Sequence, residues 1–372
     1  MQNFLLSMLI ASKLCRKSTQ LGFLPQNPFL AFNSFTCKTY SQLREDSFTV
    51  SYLIDSCGLS PKAAIHASKS VRLENPDKPN SVLSLLRNYG FSEIQLSKIV
   101  KRRATLLVAN PEKILLPKMK FFLSIGISNT DLPKILVSNP QFLTRSLNKC
   151  IIPRYRVLKS ILFNDEEVAQ TIKLGNWCFT NLRMDNIVSN VKLLREVGVP
   201  QRSISLLVTG YPDVAFFKHA KFGEAVKTVL GMGFDPLKSS FITAINVLGK
   251  LKQPVWESRL KTFERWGWSR EVALSTFKKF PFCMLTSEEK IGKVMHFLVK
   301  EMGYTSEDIA HIPNVLTLSL EKRIIPRCSV VQTLKSKHLV KNDMRLGGFI
   351  LLSEKQFSEC FVSRLETTLM VR

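Results

Sequence analysis

The sequence predicts an all-α fold, a right-handed-type solenoid or superhelix of about eight two-helix repeats of ~35 residues, each closed by a short turn after a proline. Three observations predict it. Glycines recur after short apolar runs at a near-constant interval. The apolar residues between them fall at three/four spacing, the period of a helix. Prolines recur at a set distance beyond the glycines, as in "LVSNPQFL" (136–143), "LVTGYPDVAFF" (207–217), "FKKFPFCML" (277–285) and "IAHIPNVLTL" (309–318).

The glycines set the register. Gly90, Gly126, Gly198, Gly233, Gly267 and Gly303 are separated by 36, 72, 35, 34 and 36 residues. The long step covers two units, the intermediate one lying near "VLKSILFNDEE", where glycine is absent. A partial unit precedes them at Gly58, and a last one is expected in "VVQTLKSKHLVKNDM".

Each unit reads alike. A first helix carries apolar residues such as Met119, Phe122 and Leu123. Glycine stops it, because glycine adopts the left-handed conformation of a helix C-terminus without strain. A polar N-cap follows, at Ser92, Ser128, Ser269 or Thr305. Gln95, Asp131 and Asp308 complete capping boxes. The second helix presents Leu132, Ile135 and Leu136 on one face. Proline then falls 14 residues after Gly126, Gly198 and Gly267, at Pro140, Pro212 and Pro281. Proline lacks an amide donor and pushes its predecessor out of the α region, so it ends the helix while the apolar pattern continues. Ala104 stands at that place in the first full unit, Trp177 near it in the glycine-less unit, and Pro313 comes after only 10 residues in a late one. "SLNKCIIPRYRVL" (146–158) and "SLEKRIIPRCSVV" (319–331) echo each other, and "NPEKILLPKMKFF" (110–122) is a looser version. Their prolines are expected in the first turn of the next first helix, where a missing amide costs little.

Composition narrows the function. Fifty-three Lys and Arg oppose 29 Asp and Glu in 372 residues, a net charge of +24. Such an excess points to a polyanionic partner. Residues 1–44 hold five of the cations and no acid, amid Ser, Thr, Phe and Leu. This is the composition of an organellar transit peptide. Residues 1–45 are therefore expected to be a disordered leader and 46–372 one repeat domain.

Other classes find little support. The eight cysteines form no CxxC pair, and the five histidines, 66, 219, 296, 311 and 338, stand apart, so neither a disulfide framework nor a zinc site is expected. No Walker A loop, dinucleotide fingerprint, G-x-S-x-G or H-E-x-x-H occurs. The chain is not expected to be an enzyme, and no cofactor is expected.

The pattern L-G-[FIV]-S…I…L…x-P-x-L-L resembles the mTERF family, named for mitochondrial transcription termination factors. The segments 75–122, 256–299 and 316–327 resemble its plant branch in particular, and the likeness runs over about residues 48–340. It implies a nucleic-acid-binding protein of an organelle, with a basic concave face and a role in transcription termination or initiation, RNA processing, splicing or ribosome assembly. The expected partners are organellar DNA or RNA and other organellar gene-expression proteins, without a membrane, the chain acting as a monomer. The mitochondrion is the expected compartment, with the chloroplast as alternative. A protein-interaction scaffold in ribosome assembly or splicing, without direct nucleic-acid contact, is the alternative function.

Phosphate contacts are expected from basic residues at the ends of second helices and the starts of first helices. These are Lys101, Arg102, Arg103, Lys149, Arg154, Arg156, Lys278, Lys279, Lys322, Arg323 and Arg327, with Arg183 and Lys218 as weaker candidates. Phe121, Phe122, Phe216, Phe217, Trp256, Trp266 and Trp268 could stack on bases. Their helical spacing makes them core residues first.

Overall fold

The computed structural model describes residues 48–363, except 182 and 342. The expected leader lies outside these residues. Among them the regular structure is helical, with no strand. They divide into two compact units. One comprises residues up to 120 together with 132–144, and the other comprises 121–131 together with 145 onward.

The left-handed positions fix the repeat. Gly58, Gly90, Gly126, Gly198, Gly233, Gly267 and Gly303 all have φ between 64° and 88°. Two non-glycine residues share that conformation, Phe163 at φ 69° and His338 at φ 56°. Both fall at the register positions the glycines leave empty. The glycine-less units therefore keep the same helix terminus, against the steric preference of an L side chain.

The expected caps form. Ser92 and Thr305 make reciprocal boxes with Gln95 and Asp308. The hydroxyls of Ser128 and Ser269 accept from the amides of Asp131 and Val272 at 3.1 and 3.2 Å. Leu132, Ile135 and Leu136 are buried, as are Met119 and Phe122.

The closing turns also form. They span Ala104–Val108, Gln141–Thr144, Pro212–Ala215, Pro281–Leu285 and Pro313–Thr317. The residue before each proline leaves the helix in a common conformation. Tyr211, Phe280 and Ile312 have φ/ψ of −134/53, −148/86 and −131/58°. Arg103, which precedes Ala104 rather than a proline, has −149/66°. Packing alone thus imposes the break that proline favours elsewhere.

Two units depart from the expectation of a closing turn in each. The helix Asp165–Asn181 runs past Trp177, with only a kink at Gly175 (φ −112°, ψ 31°). The helix Ser239–Lys250 likewise leads directly into Gln253–Glu264. Neither has a proline at the register position, so nothing in the sequence interrupts the amide ladder there.

The first helices begin earlier than expected. Asn110, Ser146 and Ser319 cap wide i→i+5 turns at Pro111–Leu115, Leu147–Ile151 and Leu320–Ile324. The prolines 117, 153 and 326 follow these turns instead of lying in the first one. A proline ring clashes with the carbonyl four residues back, and the wider turn moves that carbonyl away.

In the second unit, Asp165–Asn181, Gln201–Gly210, Ser239–Lys250, Arg270–Lys279 and Ser306–His311 pack each against the next, a row of second helices. Ile152–Leu162, Met184–Glu196 and His219–Gly231 form a matching row of first helices. Side chains stitch neighbouring repeats: Gln201 Nε2 donates to the Ile161 carbonyl at 2.8 Å, and Ser306 Oγ to that of Trp266 at 2.6 Å. In the first unit, Ser97 Oγ reaches the Gly58 carbonyl in the same way, at 3.1 Å. No helix among the described residues is long and apolar enough to cross a membrane.

Candidate nucleic-acid interface

The predicted cations separate into two groups. One group turns inward and satisfies carbonyls. Arg327 is 2% exposed, and its guanidinium donates to the carbonyls of Phe349, Ile350 and Leu352 and to the Glu354 carboxylate at 2.6–3.2 Å. It also lies 4.6 Å from the Phe357 ring centre. Arg323 donates to Leu352 at 2.5 Å, Arg154 to Phe179 at 2.7 Å, and Arg102 to Val137 and Ser138 at 2.9 and 3.0 Å. The acceptors lie at the ends of helices and closing turns, where the last carbonyls have no partner in their own helix.

These arginines belong to a recurring latch that the sequence reading did not anticipate. Lys118, 3% exposed, donates to the Leu143 carbonyl. Burial lowers its pKa to about 8. Asn190, wholly buried, donates to Ala215 and Phe217 at 3.0 and 2.9 Å. Lys290 Nζ reaches Thr317 at 2.7 Å. In each case a polar side chain of a first helix ties down the turn that closes its own repeat. A lone polar residue in an apolar helix face was the available signal, but its partner lies some 25 residues on and only packing reveals it.

The other group is exposed. Lys101, Arg103, Lys149, Arg156, Lys278, Lys279 and Lys322 all face solvent. Lys279 Nζ lies 3.5 Å from His311 Nδ1. The amides of Lys149 and Lys322 donate to the capping hydroxyls of Ser146 and Ser319. Lys113 and Lys290 occupy the same place after Asn110 and Ser287. A lysine therefore recurs three residues after the N-cap of a first helix in four repeats. The sequence signal was [SN]-x-x-K, in "NPEK", "SLNK", "SEEK" and "SLEK". A cation is disfavoured there, because the helix dipole places positive charge at the same end. The arrangement suits an anion, which amides and ammonium groups attract together.

The weaker candidates Arg183 and Lys218 share an open hollow of about 740 Å³ with Lys221 and Trp177. Among the aromatics singled out in sequence, Phe122, Phe216, Trp256 and Trp268 are core, and Trp268 stacks on Phe263 at 4.6 Å. Trp177, outside that set, is 59% exposed. No cluster of His, Cys, Asp and Glu suited to a metal occurs among the described residues.

Glycine-stopped helix pairs, proline-led closing turns and cations at the first-helix N-termini define a basic helical-repeat protein. The mTERF family model matches residues 83–248 and 242–358, and the chain belongs to that family. It is similar to two Arabidopsis thaliana proteins, "Transcription termination factor MTERF15, mitochondrial" and "Transcription termination factor MTEF18, mitochondrial". The first is 24% identical over 316 residues, covering 83% of this chain and 62% of the relative. The second is 22% identical over 316 residues, covering 76% and 55%. The chain thus spans little more than half of each relative's length.

Proposed function

We propose that this protein binds nucleic acid in an organelle, through contacts to the phosphate backbone, and thereby regulates organellar gene expression. Transcription termination is the activity named for both relatives, and both are named mitochondrial. The mitochondrion is accordingly the compartment proposed. The observation that carries the reading is the lysine repeated at the third position of first helices, against the helix dipole. Structural lysines would gather at C-termini instead. Lys113, Lys149 and Lys322 are exposed there, each available to one phosphate. Lys101, Arg103, Arg156 and Lys278 extend the set.

Salt dependence tests it. Each phosphate neutralised on duplex DNA contributes roughly −0.9 to the slope of log K against log salt, and about −0.7 on a single strand. Changing Lys113, Lys149 and Lys322 together to Gln should make the slope shallower by roughly 2–3 and leave the unfolding midpoint unchanged. An unaltered slope, or no binding by the wild type, would refute the reading and leave the scaffold alternative.

A further inference from the structure

The repeat that lacks both its glycine and its proline exposes an aromatic surface. Trp177 lies 14 residues after the left-handed Phe163, the offset that separates Pro212 from Gly198. Where proline would end the second helix, the chain stays helical to Asn181. Leu174 and Trp177, three residues apart on one face, remain 58% and 59% exposed. Without the closing turn, the space beside Trp177 is left as the 740 Å³ hollow. Its lining is mostly apolar carbon, with Phe216 and Phe217 from the next repeat.

Charge complements the aromatic wall. Lys221 Nζ sits 4.0 Å from the Phe217 ring centre, and Lys218 is adjacent and exposed. The acids that line the hollow have cations of their own. Asp185 is 3.0 Å from Arg183, and Asp213 is 3.1 Å from Lys250. The Arg183 pair is solvent-exposed, so its guanidinium is readily redirected to a stronger anion. A planar apolar face, flanked by ammonium groups and with amide and hydroxyl groups at Asn186 and Ser189, matches one chemical unit: a flat heterocycle carrying a phosphate.

We propose that the Trp177 hollow binds one unpaired nucleotide, its base stacked on the indole and its phosphate held by Lys218 and Lys221. This rests on the nucleic-acid reading and deepens it. Inside a duplex both faces of a base are covered by its neighbours, so an indole wall selects single strands, and it does so with little preference among bases. The nucleotide could belong to a strand or be free.

The test uses the full chain, a mixed-sequence 12-nucleotide RNA, the same RNA annealed to its complement, and AMP. Trp177→Ala should weaken single-strand binding roughly tenfold and leave duplex binding within about twofold. Trp177→Phe should recover part of the loss. Lys218→Gln with Lys221→Gln should make the single-strand salt slope shallower by about 1.4. The single strand should quench an indole signal that Trp177→Phe lacks. Because Trp177 is exposed, the unfolding midpoint should not move. Quenching by AMP as well would assign the site to free nucleotides also, and quenching by RNA alone to a strand. Equal losses on single strand and duplex, or no loss on either, would overturn the proposal. If the wild type bound neither polymer, the nucleic-acid reading would fall. AMP quenching of Trp177 would then still uphold a nucleotide site, and its absence would end that too.

Discussion

At the scale of single residues, the left-handed Phe163 and the buried Arg327 carry the clearest energetics. Phe163 is 64% exposed, so its side chain contributes little packing, while its φ of 69° is strained for an L residue. Phe163→Gly should therefore stabilise the protein by about 1 kcal/mol, read as a higher urea midpoint. Arg327 behaves oppositely. Its four bonds satisfy three carbonyls and a carboxylate around a nearly inaccessible guanidinium. Arg327→Met should cost about 3 kcal/mol in urea unfolding, since those carbonyls lose their donor. A pure phosphate contact would lose affinity and not stability.

At the scale of elements, the closing turn shows that proline is a preference and packing is the cause. Arg103 already holds the pre-proline conformation. Ala104→Pro should raise stability by about 0.5–1 kcal/mol, by restricting the unfolded chain at no native cost. Trp177 holds the same register position inside a continuous helix. Trp177→Pro should cost about 3 kcal/mol, because it removes an amide that the helix uses. Thermal unfolding of both variants checks the pair, and equal effects would refute the distinction. The glycines, the caps at Ser92, Ser128, Ser269 and Thr305, and the prolines were legible because each acts within a few residues of itself. The wide turns before Pro153 and Pro326 were less so. Proline reads as a helix start in sequence, and only the cap at Ser146 or Ser319 places it farther in.

At the scale of the molecule, burial sorts residues that composition cannot distinguish. Desolvation pushes the thiols of Cys57, Cys283 and Cys328 up to about 12, whereas Cys360 is exposed. A thiolate is the reactive form. Brief alkylation of the native protein, followed by peptide mapping, should modify Cys360 and spare those three until urea exposes them. The same sorting governs the cations. The sequence alone determined the helical class, the repeat near 35 residues, the helix termini and the excess of positive charge. These follow from local sterics, apolar periodicity and a count of ionisable groups. Only the tertiary structure decided which cations face solvent. Lys149 and Lys322 remain exposed, while Arg102, Arg154, Arg323 and Arg327 hold carbonyls 22 to 36 residues away. It also decided that Phe163 and His338 take the glycine's place, and that Trp177 stays uncovered. The reason is that an orphaned carbonyl, a strained φ and an open hollow each depend on segments that meet only when the repeats pack.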